Sequence, residues 1–199
     1  MSSALLPQYG HVRYIVRRKI FTVLGQKFHI YDDEGGLAFY SKQKAFKLKE
    51  DIRIFADEAM EKELLVIKAR SIIDFGATYD VFDSAQGGAL VGSLRRKGLK
   101  SMAVDEWIFL DAAGRELGFV REDSLSLALL RRFLLGNLLP QQYTGTVGGA
   151  EVCHFKRNFN PFVSKMALDF SLDAQRRLDR RLGIVAAVLL VAVEGKQSG

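Results

Sequence analysis

The chain contains one cysteine, three prolines, one tryptophan and three histidines in 199 residues. A lone Cys153 excludes an internal disulfide and a multi-cysteine zinc site, and it points to a reducing compartment, so a cytoplasmic protein is expected. With so few prolines and no serine-rich stretch, nothing marks a linker, and one domain over residues 1–199 is expected. His11, His29 and His154 are scattered, so no histidine-rich metal site is expected, and no cofactor is implied. Catalytic signatures are missing as well: there is no G-x-S-x-G, Walker loop, H-E-x-x-H, C-x-x-C or G-x-G-x-x-G. The chain therefore reads as a non-enzyme.

Also missing is an apolar run long enough to cross a bilayer. The longest, LGIVAAVLLVAV at residues 182–193, reaches about 18 Å as a helix, against about 30 Å of hydrocarbon core. A buried core helix is favoured over a tail anchor placed after Arg176, Arg177, Arg180 and Arg181. Pro7, Gln8 and His11 interrupt the N-terminal stretch before it reaches the length of a signal peptide.

What is present is the composition of a soluble globular protein: 48% hydrophobic and 26% charged residues, with a mean hydropathy of +0.03. Most of the chain reads as short strands joined by tight turns. IRIFAD (residues 52–57), TYDVFD (78–83) and EWIFLD (106–111) are rich in β-branched and aromatic residues, and each ends in aspartate. Asp32, Asp57, Asp83 and Asp111 recur at spacings of 25, 26 and 28 residues. Each precedes a turn, with glycines at 35–36, 87–88 and 114 and a glycine-free turn at 58–62, and each turn is followed by an apolar returning segment. Aspartate accepts turn amides and glycine supplies positive φ, so this is an approximate repeat of β-hairpins. Two-stranded units at this spacing are too small for propeller blades and suit a closed meander. Further strands are expected around residues 142–155 and 162–170. The Gly87–Gly92 run is then a turn and a strand, not a phosphate cradle.

Two segments read as helix. Residues 124–135 (SLSLALLRRFLL) begin on a capping serine and end before Gly136. The second helix is expected over about 172–194, capped by Ser171, with Asp173 in its first turn. Leu178 and Leu182 are expected to face away from Arg176, Arg177, Arg180 and Arg181. Its second half is apolar on every side, so it must be surrounded. In a chain of hairpins the container is the sheet itself, and Gly183, Ala186, Ala187 and Ala192 allow close approach. The fold expected is mainly β: a closed antiparallel barrel, with strands over about 12–170, around a central C-terminal helix.

The hairpins YDVFDSAQGGALVGSL and EWIFLDAAGRELGFV, with the terminal LDRRLGIVAAVLLVAVE, resemble the tubby C-terminal-like superfamily, in its LURP-one-related and phospholipid-scramblase-like branch. The resemblance covers roughly residues 12–194. It implies about twelve strands threaded by the last helix, and a role in binding lipid or phosphoinositide headgroups. The tubby headgroup residues have no position-by-position match, and there is no acidic cluster of calcium-loop type. Candidate sites therefore come from charge alone.

The net charge is +6, and residues 1–100 carry 17 cations against 12 anions. The excess clusters at Arg17, Arg18 and Lys19, at residues 42–49, and at Arg95, Arg96, Lys97 and Lys100. Cations near an anionic surface contribute about 1 kcal/mol each, so the first and third clusters are the lipid or anion candidates. Strand alternation would divide each between two faces. Leu130, Arg131, Arg132 and Phe133 form a candidate membrane lip on the 124–135 helix. The expected partner is an anionic headgroup or a membrane surface, touched peripherally. Nucleic acid is not expected, since the charge is modest and no stacking motif appears. Cys153 and His154 are neighbours on a strand and point apart, which excludes a thiol dyad. The alternatives are a protein-interaction scaffold that binds an unidentified protein partner, or an enzyme whose site has no sequence signature.

Overall fold

The aspartate-ended segments become first arms of hairpins in the computed structural model, which describes residues 5–19, 26–43, 51–70, 76–97, 106–123, 141–158 and 163–194. Among the described residues there are twelve strands: β1 (Arg13–Lys19), β2 (Gln26–Asp32), β3 (Leu37–Gln43), β4 (Ile52–Phe55), β5 (Glu63–Ala69), β6 (Thr78–Asp83), β7 (Ala89–Arg96), β8 (Glu106–Asp111), β9 (Glu116–Glu122), β10 (Gln142–Val147), β11 (Ala150–Asn158) and β12 (Val163–Asp169). Each pairs antiparallel with its neighbours in the chain, and β1 pairs with both β2 and β12, closing the barrel. The helix expected over 124–135 falls outside the described residues.

The repeat has a physical basis at one end of the barrel. Asp32 Oδ1 accepts the amides of Glu34 and Gly36 at 3.0 and 2.7 Å. Asp57 Oδ1 takes the amide of Ala59, Asp83 Oδ1 those of Ala85 and Gln86, and Asp111 Oδ1 those of Ala113 and Arg115. Where three turns place Gly35, Gly87 and Gly114 at positive φ, the glycine-free one places Met60 at φ 58°. Just before each aspartate the pairing slips, at Ile30/Tyr31, Ile54/Phe55, Val81/Phe82 and Phe109/Leu110. Bulges bend strands and raise their twist, so the repeated unit is a bulge followed by an aspartate turn, and it curls the sheet.

Inside runs α1 (Arg180–Glu194), with residues 182–192 all buried. The helix starts eight residues later than about 172, and the cause is Asp173. Its carboxylate accepts the amides of Arg177 and Leu178 at 2.8 and 3.2 Å, which folds residues 171–179 into an irregular loop with Arg176 at φ 51°. The cap is Asp179, whose Oδ1 accepts the Arg181 amide at 2.9 Å, and not Ser171. Leu178 and Leu182 are buried as expected, but Arg180 does not face water. Its guanidinium is buried, 3.2 Å from Asp173 Oδ2, and stacks 4.1 Å from the centre of the Phe170 ring. Arg181 bridges Asp179 and Asp83, tying the helix start to the β6–β7 hairpin. Gly183 lies against Phe170, where a Cβ would fall inside the ring's van der Waals shell.

Two stability measurements probe this entry. Asp173→Ala leaves Arg180 buried without its counter-charge and should cost about 3–5 kcal/mol in denaturant unfolding, whereas Asp173→Ala combined with Arg180→Met should recover most of that loss. Gly183→Ala should cost about 1–3 kcal/mol through overpacking, and Phe170→Leu in the same chain should relieve it. A full, additive loss in the second double variant would contradict close approach of the helix to that ring.

Candidate functional site

In an antiparallel meander, alternate strands finish at the same end. The end opposite the aspartate turns is where β1, β3, β5, β7, β9 and β11 finish. Both basic clusters come to that end: Arg17, Arg18 and Lys19 close β1, and Arg95 and Arg96 close β7, with Lys97 next. They do not meet. Five strands separate β1 from β7 in either direction around the barrel, so the clusters sit across the barrel from each other. Lys100, the lip residues Leu130, Arg131, Arg132 and Phe133, and residues 44–49 lie outside the described residues.

Partners divide the end into two halves. On the β5–β9 side four cations have carboxylates, while Lys68 lies over the Phe82 ring, 5.3 Å from its centre. Arg70 bonds Asp80 through Nε and Nη2 at 3.0 and 2.6 Å, and Arg95 bonds Glu116. Glu106 sits between Lys97 Nζ at 2.9 Å and Arg121 Nη2 at 2.6 Å. Burial pushes the Glu106 carboxyl up, but hydrogen bonds from Lys97 and Arg121 outweigh it and hold the group below the usual carboxylate range. The Arg96 guanidinium lies 5.9 Å from the Trp107 ring centre.

On the β11–β3 side the outer face carries Lys156 (β11), Lys165 (β12), Arg17 (β1), Lys27 (β2) and Lys42 (β3). Among the described residues none of the five has a carboxylate partner. Arg17 stands directly opposite Lys165, and Lys27 directly opposite Lys42. Like charges in such cross-strand positions are destabilising. Ile15, 43% exposed, lies in the next row beside Ala167, itself opposite Lys156. Arg18, one residue from Arg17, points into the barrel and donates Nη1 to Gln26 Oε1 at 3.3 Å.

Lys27, Lys156 and Lys165 were not legible as site residues. Lys27 and Lys165 are isolated in sequence and Lys156 adjoins only Arg157, and only the pairing register places them beside Arg17. Lys42 begins a recognisable run but aligns with Lys27 only across the β2–β3 ladder. Position near the end of a strand, with the same parity as Arg17, is the one signal that could have found them.

The thiol reading is settled by geometry. Cys153 is fully buried and burial pushes its thiol far up. His154 faces outward, with Nε2 3.3 Å from Glu151, so the two side chains form no dyad.

The opposite end differs in sign. Asp32, Asp57, Asp83 and Asp111 fill the turns there, and His11 Nδ1 lies 2.7 Å from Asp33 Oδ1. Those carboxylates are occupied by backbone amides, so their charge belongs to turn structure.

The barrel and its enclosed helix agree with a tubby-like arrangement. A family model described as LURP-one-related matches residues 12–191. No curated protein and no solved structure matches the chain. The matched span starts one residue before β1 and ends inside α1, taking in every strand, and the chain belongs to the LURP-one-related family.

Proposed function

We propose that this chain is a non-enzymatic, peripheral lipid-binding barrel that docks on anionic membrane surfaces, phosphoinositide-containing ones included, through the outer face of β11, β12, β1, β2 and β3. One observation carries the reading: among the described residues, five cations gather on adjoining strands without carboxylate partners, while across the barrel Arg70, Arg95, Lys97 and Arg121 are each paired with an acid. A folded protein gains nothing internally from Arg17 opposite Lys165 or Lys27 opposite Lys42. An anionic surface converts both repulsions into attraction. Exposed Ile15 supplies an apolar side chain within the same face, suited to the headgroup boundary.

Such a contact is electrostatic and responds to salt, because the screening length falls to about 8 Å at physiological ionic strength. Co-sedimentation with phosphatidylcholine vesicles containing phosphatidylserine or a phosphoinositide tests it. Arg17→Gln, Lys27→Gln and Lys165→Gln together should weaken binding about 100-fold at low salt, at roughly 1 kcal/mol per cation. Arg95→Gln with Lys97→Gln should change it little, since those charges are already neutralised. Absence of sedimentation at both low and physiological salt, or an equal loss in the two variants, would refute the assignment.

A further inference from the structure

The three histidines of the chain are not spread around the barrel. His29 lies on β2, His154 on β11, and His11 beside the turn that follows β2. All three therefore fall on the half that carries the outer cations, and none lies on β4 to β10. Histidine is the side chain that ordinarily changes charge between about pH 5 and pH 8.

Their positions differ. His11 is engaged at the aspartate end, with Nδ1 2.7 Å from Asp33 Oδ1 and Nε2 3.7 Å from Asp32 Oδ2. Its hydrogen bond holds the Asp33 carboxyl below the usual carboxylate range. His154 lies at the edge of the cation face, opposite Asp169 on β12 and Thr144 on β10, with Glu151 at 3.3 Å and Lys156 two residues along β11. Asp169 in turn bonds Arg13.

His29 lies inside the face. Arg17 stands directly opposite it on β1, and Tyr40 directly opposite on β3. Lys27 and Tyr31 are two residues away along β2 and share its side of the strand, and Lys42 stands opposite Lys27. Glu58, from the turn after β4, brings Oε1 to 3.3 Å from His29 Nε2, and among the described residues it is the acid within ion-pair distance of His29. With His29 neutral, Arg17, Lys27 and Lys42 are set against Glu58. With His29 protonated, the imidazolium offsets Glu58 and the three cations stand unopposed.

The rings around His29 suit that positive charge. Tyr31 stacks on it with centroids 6.2 Å apart, and Tyr40 meets it edge-on at 5.1 Å. Aromatic faces attract cations. Burial, and then the charge of Glu58, push the Tyr40 phenol up, so Tyr40 stays neutral where histidine titrates. The His29 side chain remains 19% exposed, which leaves its proton in exchange with solvent.

We propose that docking of the β11–β3 face on an anionic membrane is proton-dependent, and that His29 is the residue that switches it. The inference rests on the docking reading and adds the regulation of that surface. A proton on His29 strengthens attraction to the bilayer, and the bilayer strengthens retention of the proton by the same factor. The partner is an anionic bilayer at mildly acidic pH, and a rise in pH releases the protein. His154 contributes an outlying charge, and His11 stands apart from the face.

Co-sedimentation at constant low salt tests this, with phosphatidylcholine vesicles containing phosphatidylglycerol, whose phosphodiester keeps its charge across the range used. Between about pH 7.5 and about pH 5.5 the full chain should gain at least about fivefold in affinity, the effect of one cation added near an anionic surface. His29→Gln should lose most of that gain, while binding at the upper pH as the unaltered chain does. His29→Arg should bind at the upper pH about as tightly as the unaltered chain does at the lower one, a gain that misfolding cannot produce. His11→Gln should keep the response.

Equal binding at the two pH values, an undiminished response in His29→Gln, or a His29→Arg variant no tighter than the unaltered chain at the upper pH overturns the proton dependence and leaves docking standing. Loss of the response in His11→Gln alone overturns its assignment to His29. Absence of sedimentation at both pH values overturns the docking reading and this inference with it.

Discussion

The structure depends on one constraint: eleven consecutive residues of α1, 182–192, have no side that can face water. A helix beside a flat sheet would bury one stripe and leave the rest wet. Only a sheet that wraps fully round removes the whole surface, at roughly 1.5–3 kcal/mol for each buried leucine, isoleucine or valine. Closure also removes the free strand edges that otherwise invite aggregation. The repeated bulge before each aspartate turn supplies the curvature this requires. Because the bulges recur in successive hairpins, the wall bends continuously and needs no corner.

Enclosing a helix leaves its two ends to be dealt with, and the ends are handled differently. At the entry, helix amides, a buried Arg180 and the turn backbones all need partners, and Asp173, Asp179 and the turn aspartates supply them. The negative charge at that end follows from backbone hydrogen bonding. At the other end the five outer cations, Arg17, Lys27, Lys42, Lys156 and Lys165, bond to no carboxylate among the described residues. That asymmetry separates structural charge from charge available to a partner, and it distinguishes the β11–β3 half from the β5–β9 half, where Arg70, Arg95, Lys97 and Arg121 are matched by acids.

How much of this was legible in sequence depends on the range of the interaction. The hairpins were readable because an aspartate and its turn amides lie within four residues. The enclosed helix was readable because its apolarity is a property of one continuous segment. The helix start was not: Ser171 and Asp173 look like a cap and a first turn, and only the tertiary pairing of Asp173 with Arg180 turns that stretch into a loop. Arg180 was misplaced for the same reason, since a guanidinium is assigned to solvent unless its counter-charge is known. The two basic clusters were found, but their pairing partners decide their availability. Glu116 lies 21 residues from Arg95 and Glu106 nine from Lys97, while Lys165 is 148 residues from the Arg17 it faces. Cross-strand register carries that information, and composition does not.

Alternation along β1 gives two consecutive arginines different work. Arg17 stands in solvent among like charges, so its influence is long-ranged, additive with Lys27 and Lys165, and weakened by salt. Arg18 stands in the lumen opposite Ser164 and bonded to the Gln26 amide oxygen, where water does not screen it and where any partner must satisfy short-range geometry. Long-range charge governs how often an anionic partner is met, and desolvated donors govern which partner stays. A strand that presents one cation to each environment separates long-range attraction from short-range geometry by a single residue step. The two faces can then be changed independently, because a substitution at an outer position leaves the inner wall untouched.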